Sequence, residues 1–149
     1  MEPTPLDLAP LVEEIVRLQP KWQSFVKVET SGPASAPCDK LLFRRVIANL
    51  VENALQAASG AGREPQVIIR VERRPDRKRA AILVDDNGPS VPEAERQRVF
   101  DPYVTFRSGG TGLGLAIVRK IVIDHGGDVS AGAAPAPLGG ARFVVELPC

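Results

Sequence analysis

Leu8, Leu11, Val12, Ile15 and Leu18 recur at helical spacing, and Pro20 ends the run. Val26, Val28 and Thr30 alternate with charged neighbours, which is the period of a half-buried strand. Residues 31–37 are rich in Gly, Pro and Ser and read as a loop. The strongest helical pattern follows, at Phe43, Val46, Ile47, Leu50, Val51, Ala54 and Ala58, with Asp39 placed to cap its start and Gly60 to end it. Residues 67–71 and 80–84 are apolar runs joined by RRPDRKR, the pattern of a β-hairpin with a solvated basic turn. Residues 85–92 are turn-rich, 93–100 read as a short helix, 102–110 as irregular, and 115–124 as a helix closed by Gly126-Gly127. Val129 and residues 142–147 supply closing strands on either side of the small loop AGAAPAPLGG. The order predicts an α/β two-layer sandwich: one mixed, largely antiparallel sheet with helices packed on one face.

Length and composition narrow the class. The 149 residues fit a single domain spanning 1–149, with residues 1–5 expected as a lead-in linker. With 44% hydrophobic and 25% charged residues the chain can build a core in water. A net charge of +1 gives no overall field toward nucleic acid or membrane. The basic turn is interrupted by acidic Glu72 and Asp76 and carries no aromatics, so it reads as solvated rather than as a nucleic-acid patch. Cys38 and Cys149 form no CxxC pair and suggest a reducing compartment. One histidine excludes a multi-histidine metal site, and no apolar run is long enough to span a bilayer. The expected location is cytoplasmic, in a parent that can itself be membrane-anchored.

Three stretches carry candidate chemistry. On the long helix Asn49 and Asn53 lie one turn apart beside the apolar stripe, with Gln56 near them and Glu52 roughly opposite. Such asparagines either bond nearby backbone or offer a carbonyl oxygen to a hard cation such as magnesium, which is often shared with phosphates. In Asp85-Asp86-Asn87-Gly88, turn chemistry accounts for Asn87 and Gly88. One of the two aspartates there can accept a hydrogen bond from an exocyclic amine. The stretch GGTGLGLAIV, residues 109–118, puts four glycines in six residues at the mouth of a helix. It matches neither the Walker nor the dinucleotide fingerprint, yet a helix N-terminus with bare N–H groups suits an anion. Arg107 lies close by in sequence as a possible cation for phosphates. His125, near a helix end, reads as a capping or packing histidine, and no nucleophilic triad is supported.

Taken together these stretches resemble the catalytic, ATP-binding domain of sensor histidine kinases, within the wider family of gyrase, Hsp90 and MutL. Asn49-Leu50-Val51-Glu52-Asn53-Ala54 resembles the N box, and Asp86-Asn87-Gly88-Pro89-Ser90-Val91-Pro92 the first glycine box. Residues 99–106 (VFDPYVTF) resemble the F box, residues 110–115 (GTGLGL) the second glycine box, and GARFVVELP the closing strand. The resemblance covers about Leu6 to Pro148 and implies a Bergerat fold with ATP and Mg²⁺ held between the long helix, the glycine boxes and a lid. It implies Asn53 as the magnesium ligand, Asn49 at the phosphates, Asp86 on the adenine amine and Gly88 beneath the base. Gly110, Thr111, Gly112, Leu113, Gly114 and Leu115 then form the phosphate cradle and lid hinge, and Arg107 acts with Asn53 at the terminal phosphate. The reaction implied is γ-phosphoryl transfer to a histidine on a separate dimerisation domain, absent here, with a response regulator downstream.

Some residues depart from the family pattern. Ser90 replaces the usual second glycine of its box; a positive φ there would cost serine about 1–2 kcal/mol. Gln56 stands where many such kinases carry lysine, and the short lid with this glutamine resembles the nitrogen-regulation type. Position 49 is Asn where ATP-hydrolysing relatives carry glutamate, which favours transfer over hydrolysis. Two alternatives stay open at this point: a degenerate nucleotide-binding module acting through protein contacts, and an anti-sigma-factor-type serine kinase of the same fold.

Overall fold

A computed structural model describes residues 1–103 and 113–149. Among these residues seven strands and three α-helices run in the order β1 (Thr4–Asp7), α1 (Leu8–Arg17), β2 (Val26–Thr30), β3 (Ser35–Cys38), α2 (Lys40–Gly60), β4 (Val67–Arg74), β5 (Arg79–Asp86), α3 (Gly114–Asp124), β6 (Asp128–Ala133) and β7 (Ala141–Pro148). Five strands form one sheet in the order β2-β4-β5-β7-β6, in which β2 and β4 are parallel and the other pairs antiparallel. Both the expected α/β class and the mixed, largely antiparallel sheet are present.

Alternation decides which face is covered. Val67, Ile69 and Val71 on β4, Ile82 and Val84 on β5, and Phe143, Val145 and Leu147 on β7 turn toward the helices and are buried. From the other side come Phe43, Val46, Ile47, Leu50, Val51 and Ala54 of α2 and Val118, Ile121 and Val122 of α3. The stripe read from sequence is therefore the core face of α2. Helix α1 adds Leu8, Leu11, Val12, Ile15 and Val16. Trp22, in a 3-10 turn after α1, is buried and donates its indole N–H to Glu52 at 3.3 Å. Glu52 lies about 60° round α2 from Asn49 and about 100° from Asn53, so this contact fixes a flank beside the asparagines rather than the opposite side expected.

Helix ends carry their own caps. The Asp39 carboxylate accepts from Leu42 N–H at 3.2 Å and from Glu2 N–H at 2.8 Å, and these two backbone donors hold it below the usual carboxylate range. Helix α3 closes through Gly126 at φ +78°, with the N–H groups of Gly126 and Gly127 bonded to the carbonyls of Ile123 and Val122.

Four further sequence expectations change. Thr4 and Pro5 are not linker: they pair with Cys38 and Pro37 in a two-stranded sheet of β1 and β3. The expected loop at 31–37 therefore contains most of β3, whose Ala36 and Cys38 are buried. Its Pro37 is tolerated because so small a sheet is all edge. Asp85 and Asp86 belong to β5 rather than to the loop. In place of a helix over 93–100 there are two 3-10 turns, Glu93–Glu95 and Arg98–Phe100. Only Val99 and Phe100 are buried in that segment, so it has no apolar stripe to dock a longer helix.

Candidate functional site

The two consecutive aspartates point to opposite faces of β5, because side chains alternate along a strand. Asp85 lies on the open face of the sheet. It is fully buried beneath Arg70 of β4 and Arg142 of β7, with Arg142 bidentate at 2.7 and 2.8 Å. The carboxylate keeps the Arg142 guanidinium more firmly charged than usual. Asp86 lies on the helix face and is also fully buried. Its Oδ1 accepts from Gly88 N–H at 2.9 Å and from Ala141 N–H at 3.0 Å, and its carbonyl accepts from Gly140 N–H at 3.1 Å. Of the pair, Asp86 is the one aimed into the helix layer.

The turn after β5 is tied down on both sides. Asn87 receives Gln66 N–H on its side-chain oxygen at 2.9 Å and donates its amide to Glu64 carbonyl at 2.9 Å, while Arg63 bonds its carbonyl at 2.7 Å. Its turn chemistry thus reaches the α2–β4 connection, a contact that local sequence does not reveal. Gly88 is required by close approach: a Cβ there would sit 2.8 Å from the Cβ and carbonyl carbon of Ala57 and 2.9 Å from Ala58 N. Gly140 is equally constrained, since a Cβ would lie 2.3 Å from Asp86 Oδ1 and 2.4 Å from its carbonyl oxygen. The clamp of Gly140 and Ala141 on Asp86 escaped sequence reasoning; its only trace was the Gly-Gly pair before the last strand. Ser90 is exposed and its φ is not positive. The expected backbone cost of serine therefore does not arise, and with it goes one ground for a degenerate site.

On α2, Asn49 is half-buried and donates its amide to Gly114 carbonyl at 3.3 Å, joining α2 to the first turn of α3. Asn53 follows one turn later, half-buried, and Gln56 is exposed beyond it. At the α3 N-terminus Leu113 occupies the cap position, and no side chain caps the first turn among the described residues. A Cβ on Gly114 would meet no described atom within 4 Å. Leu115 is buried in the core, so only its backbone N–H can face a ligand. Of the F box, Phe100 packs edge-on against Phe143 at 6.0 Å between centroids, and Asp101 takes Arg119 of α3 at 3.1 Å. Arg107, Gly110, Thr111, Gly112 and the F-box residues 104–106 lie outside the described residues.

His125 plays the structural part expected of it. Its Nδ1–H donates to Ile121 carbonyl at 2.7 Å, its Nε2 accepts from Asp39 N–H at 3.0 Å, and its ring meets Phe43 edge-on at 5.4 Å. This exchange sets the neutral tautomer.

Asn49 thus bonds the start of α3, and Gly88, two residues after Asp86, packs on α2 at Ala57, one turn beyond Asn53, so these residues follow one side of α2 between the end of β5 and α3. Its chemistry suits a nucleotide: a buried carboxylate acceptor at one end, the N-terminus of α3 at the other, and neutral amides between. The described residues hold no group of three or more His, Cys, Asp or Glu that could ligate a metal. A magnesium ion here would rest on amide oxygen and on substrate phosphates, a donor set that such an ion accepts.

Residues 38–149 match the family model described as histidine kinase-, DNA gyrase B-, and HSP90-like ATPase. Among curated relatives, the alginate biosynthesis sensor protein KinB of Pseudomonas aeruginosa is 39% identical over 112 residues, 74% of this chain and 18% of that protein. The nitrogen regulation protein NtrY of Azorhizobium caulinodans is 32% identical over 133 residues, 87% of this chain and 17% of that protein. The chain therefore spans about a fifth of the length of these relatives. Among solved structures, the nucleotide-free catalytic domain of histidine kinase ThkA superposes with a TM-score of 0.83 at 30% identity, covering 99% of this chain and 96% of that one. The same kinase in complex with the response regulator TrrA gives 0.76 at 28% identity, covering 98% of this chain and 41% of that one. The chain belongs to the histidine kinase-, DNA gyrase B- and HSP90-like ATPase family, with the fold of the histidine-kinase catalytic domain.

Proposed function

We propose that this chain is the catalytic domain of a cytoplasmic sensor histidine kinase, holding ATP with Mg²⁺ and presenting the γ-phosphoryl group to a histidine on a separate dimerisation domain. The observation that carries the reading is the convergence of three sequence motifs. Asn49 of α2 bonds Gly114 at the start of α3, and the buried Asp86 closes the end of the same region.

In this reading Asp86, oriented by two backbone N–H groups, takes the adenine amine on its second oxygen. Asn53 and Asn49 supply amide oxygens at the triphosphate, and the first N–H groups of α3 meet phosphate oxygens. Arg107, carried over from the family pattern, adds positive charge at the terminal phosphate. Magnesium, when bound, would supply positive charge against the charge that develops on the phosphates during transfer. The acceptor imidazole nitrogen attacks the γ-phosphorus and the bond to the ADP oxygen breaks. No described residue is asked to activate water, in keeping with Asn at position 49. His125 is not the acceptor, because both its ring nitrogens are engaged.

A transfer assay in trans tests the proposal. The chain, ATP and Mg²⁺ are mixed with the dimerisation domain of a nitrogen-regulation-type kinase such as NtrY. Acid-labile, base-stable phosphate on that domain supports the reading. A chain that binds nucleotide yet only releases free phosphate, or that labels serine, overturns it. The response regulator that would take the phosphoryl group onward is part of the same proposal, by likeness to the kinase complex described above.

A further inference from the structure

The open face of the sheet carries a charged cluster that neither the nucleotide region nor the core absorbs. Asp85 is fully buried there, although no helix among the described residues covers that face. Arg142 grips both its oxygens, Arg70 binds one of them, and Arg70 also reaches Glu29 of β2 at 3.3 Å. A carboxylate removed from water needs such pairing, and losing one partner of the set is costly.

What gives the cluster a bearing on nucleotide is register. Asp85 pairs with Arg142 across β5 and β7. Asp86, the next residue on β5, takes the N–H of Ala141, the preceding residue on β7, at 3.0 Å. The bidentate ion pair on one face and the carboxylate clamp on the other thus share the same two adjoining strand positions. Gly140, one residue further, fits against the Asp86 carbonyl with no room for a side chain. A small slip at the start of β7 would therefore move one of the two donors that orient the Asp86 carboxylate, the other being Gly88 N–H.

We infer that Asp85 and Arg142 are positioning residues for adenine recognition, acting through the Ala141 N–H to hold the Asp86 carboxylate in line with the exocyclic amine. The inference rests on the adenine reading of Asp86. It makes a distinction that a merely stabilising ion pair does not: the pair governs selectivity for the 6-amino group, not binding of the triphosphate.

The test compares affinity for ATP and for inosine triphosphate, which lacks the amine, with Mg²⁺ present. Arg142→Met is expected to weaken ATP binding about 5- to 20-fold and leave inosine triphosphate within about twofold, while Arg142→Lys recovers part of the preference. Arg74→Met removes a comparable ion pair with Glu146 on the same face, nearer the hairpin turn. It is expected to lower the melting temperature without moving the ATP preference. The inference is overturned if folded Arg142→Met and Arg142→Lys keep the parent's preference, or lose both nucleotides equally. Should Arg142→Met fail to fold, Arg142→Lys and Arg70→Met decide, each expected to reduce the preference. Asp86→Asn separates the two levels. A preference that survives Asp86→Asn overturns the adenine reading and the inference together; one lost there but intact in the Arg142 variants overturns the inference alone.

Discussion

His125 and Asp39 are bound across 86 residues of sequence: the imidazole Nε2 accepts the Asp39 backbone N–H at 3.0 Å. The bond joins the end of α3 to the start of α2, while Asn49 and Gly114 join the same two helices at the opposite end of α3. One contact belongs to the scaffold and the other to the nucleotide region. His125→Ala should therefore cost about 1–3 kcal/mol of stability, the range for leaving a part-buried donor unsatisfied. It should leave ATP affinity unchanged at temperatures where the variant is folded. Chemical denaturation alongside a nucleotide titration checks both halves.

Gly88 and Gly114 should respond oppositely to alanine. Gly88→Ala drives a Cβ into the backbone of α2 at Ala57, so a loss of about 1–3 kcal/mol is expected, as for other overpacked sites, together with weaker nucleotide binding. Gly114→Ala, at the first position of α3 and without a positive φ, places its methyl clear of the described atoms, and should raise stability by about 0.4–1 kcal/mol by restricting the unfolded chain. Thermal melts of the two variants test the contrast; a stable Gly88→Ala would contradict the packing described.

Ser90→Gly should not stabilise the protein. Ser90 is exposed and its φ is not positive, so the substitution relieves no strain and adds freedom to the unfolded chain. The melting temperature is expected to hold or fall slightly. A rise of several degrees would mean the turn prefers the left-handed conformation after all.

The two cysteines should differ sharply toward thiol reagents. Cys149 is exposed, whereas Cys38 is fully buried, and burial first, then the charge of Asp39, push its thiol up to about 11. One fast thiol is expected in the native protein and two after unfolding. The sign for stability follows from a folded value above the unfolded one. The contribution of the neutral thiol is present below the ordinary value of 9.0 and is lost as pH rises from there through about 11. Cys38→Ala should accordingly flatten the alkaline side of the stability profile, read by melting temperature against pH.

Periodic segments were legible from sequence and long-range polar contacts were not. The stripe from Phe43 to Ala58 specifies α2 because one face of it is apolar throughout, and alternation in Val26–Thr30 specifies β2 for the same kind of reason. β3 was hidden because Ser-Ala-Pro-Cys has little strand propensity and is held by pairing with β1. Asp85 and Asp86 resembled a turn because their partners, Arg70, Arg142 and Ala141, lie up to 57 residues away. The ordered motifs singled out Asn49, Asp86 and Gly88 as candidates, and Gly88 has a packing role besides the one expected. Its missing side chain admits Ala57 of α2, whether or not a base lies beside it.

The most direct test of the account is a calorimetric titration of the chain with ATP in the presence and absence of Mg²⁺, repeated with Asp86→Asn and Asn53→Ala. One site per chain is expected in the parent, with at least tenfold weaker binding in Asp86→Asn and binding in Asn53→Ala that no longer strengthens with Mg²⁺. Parent-like affinity and Mg²⁺ response in both variants, or no binding by the parent, would contradict it.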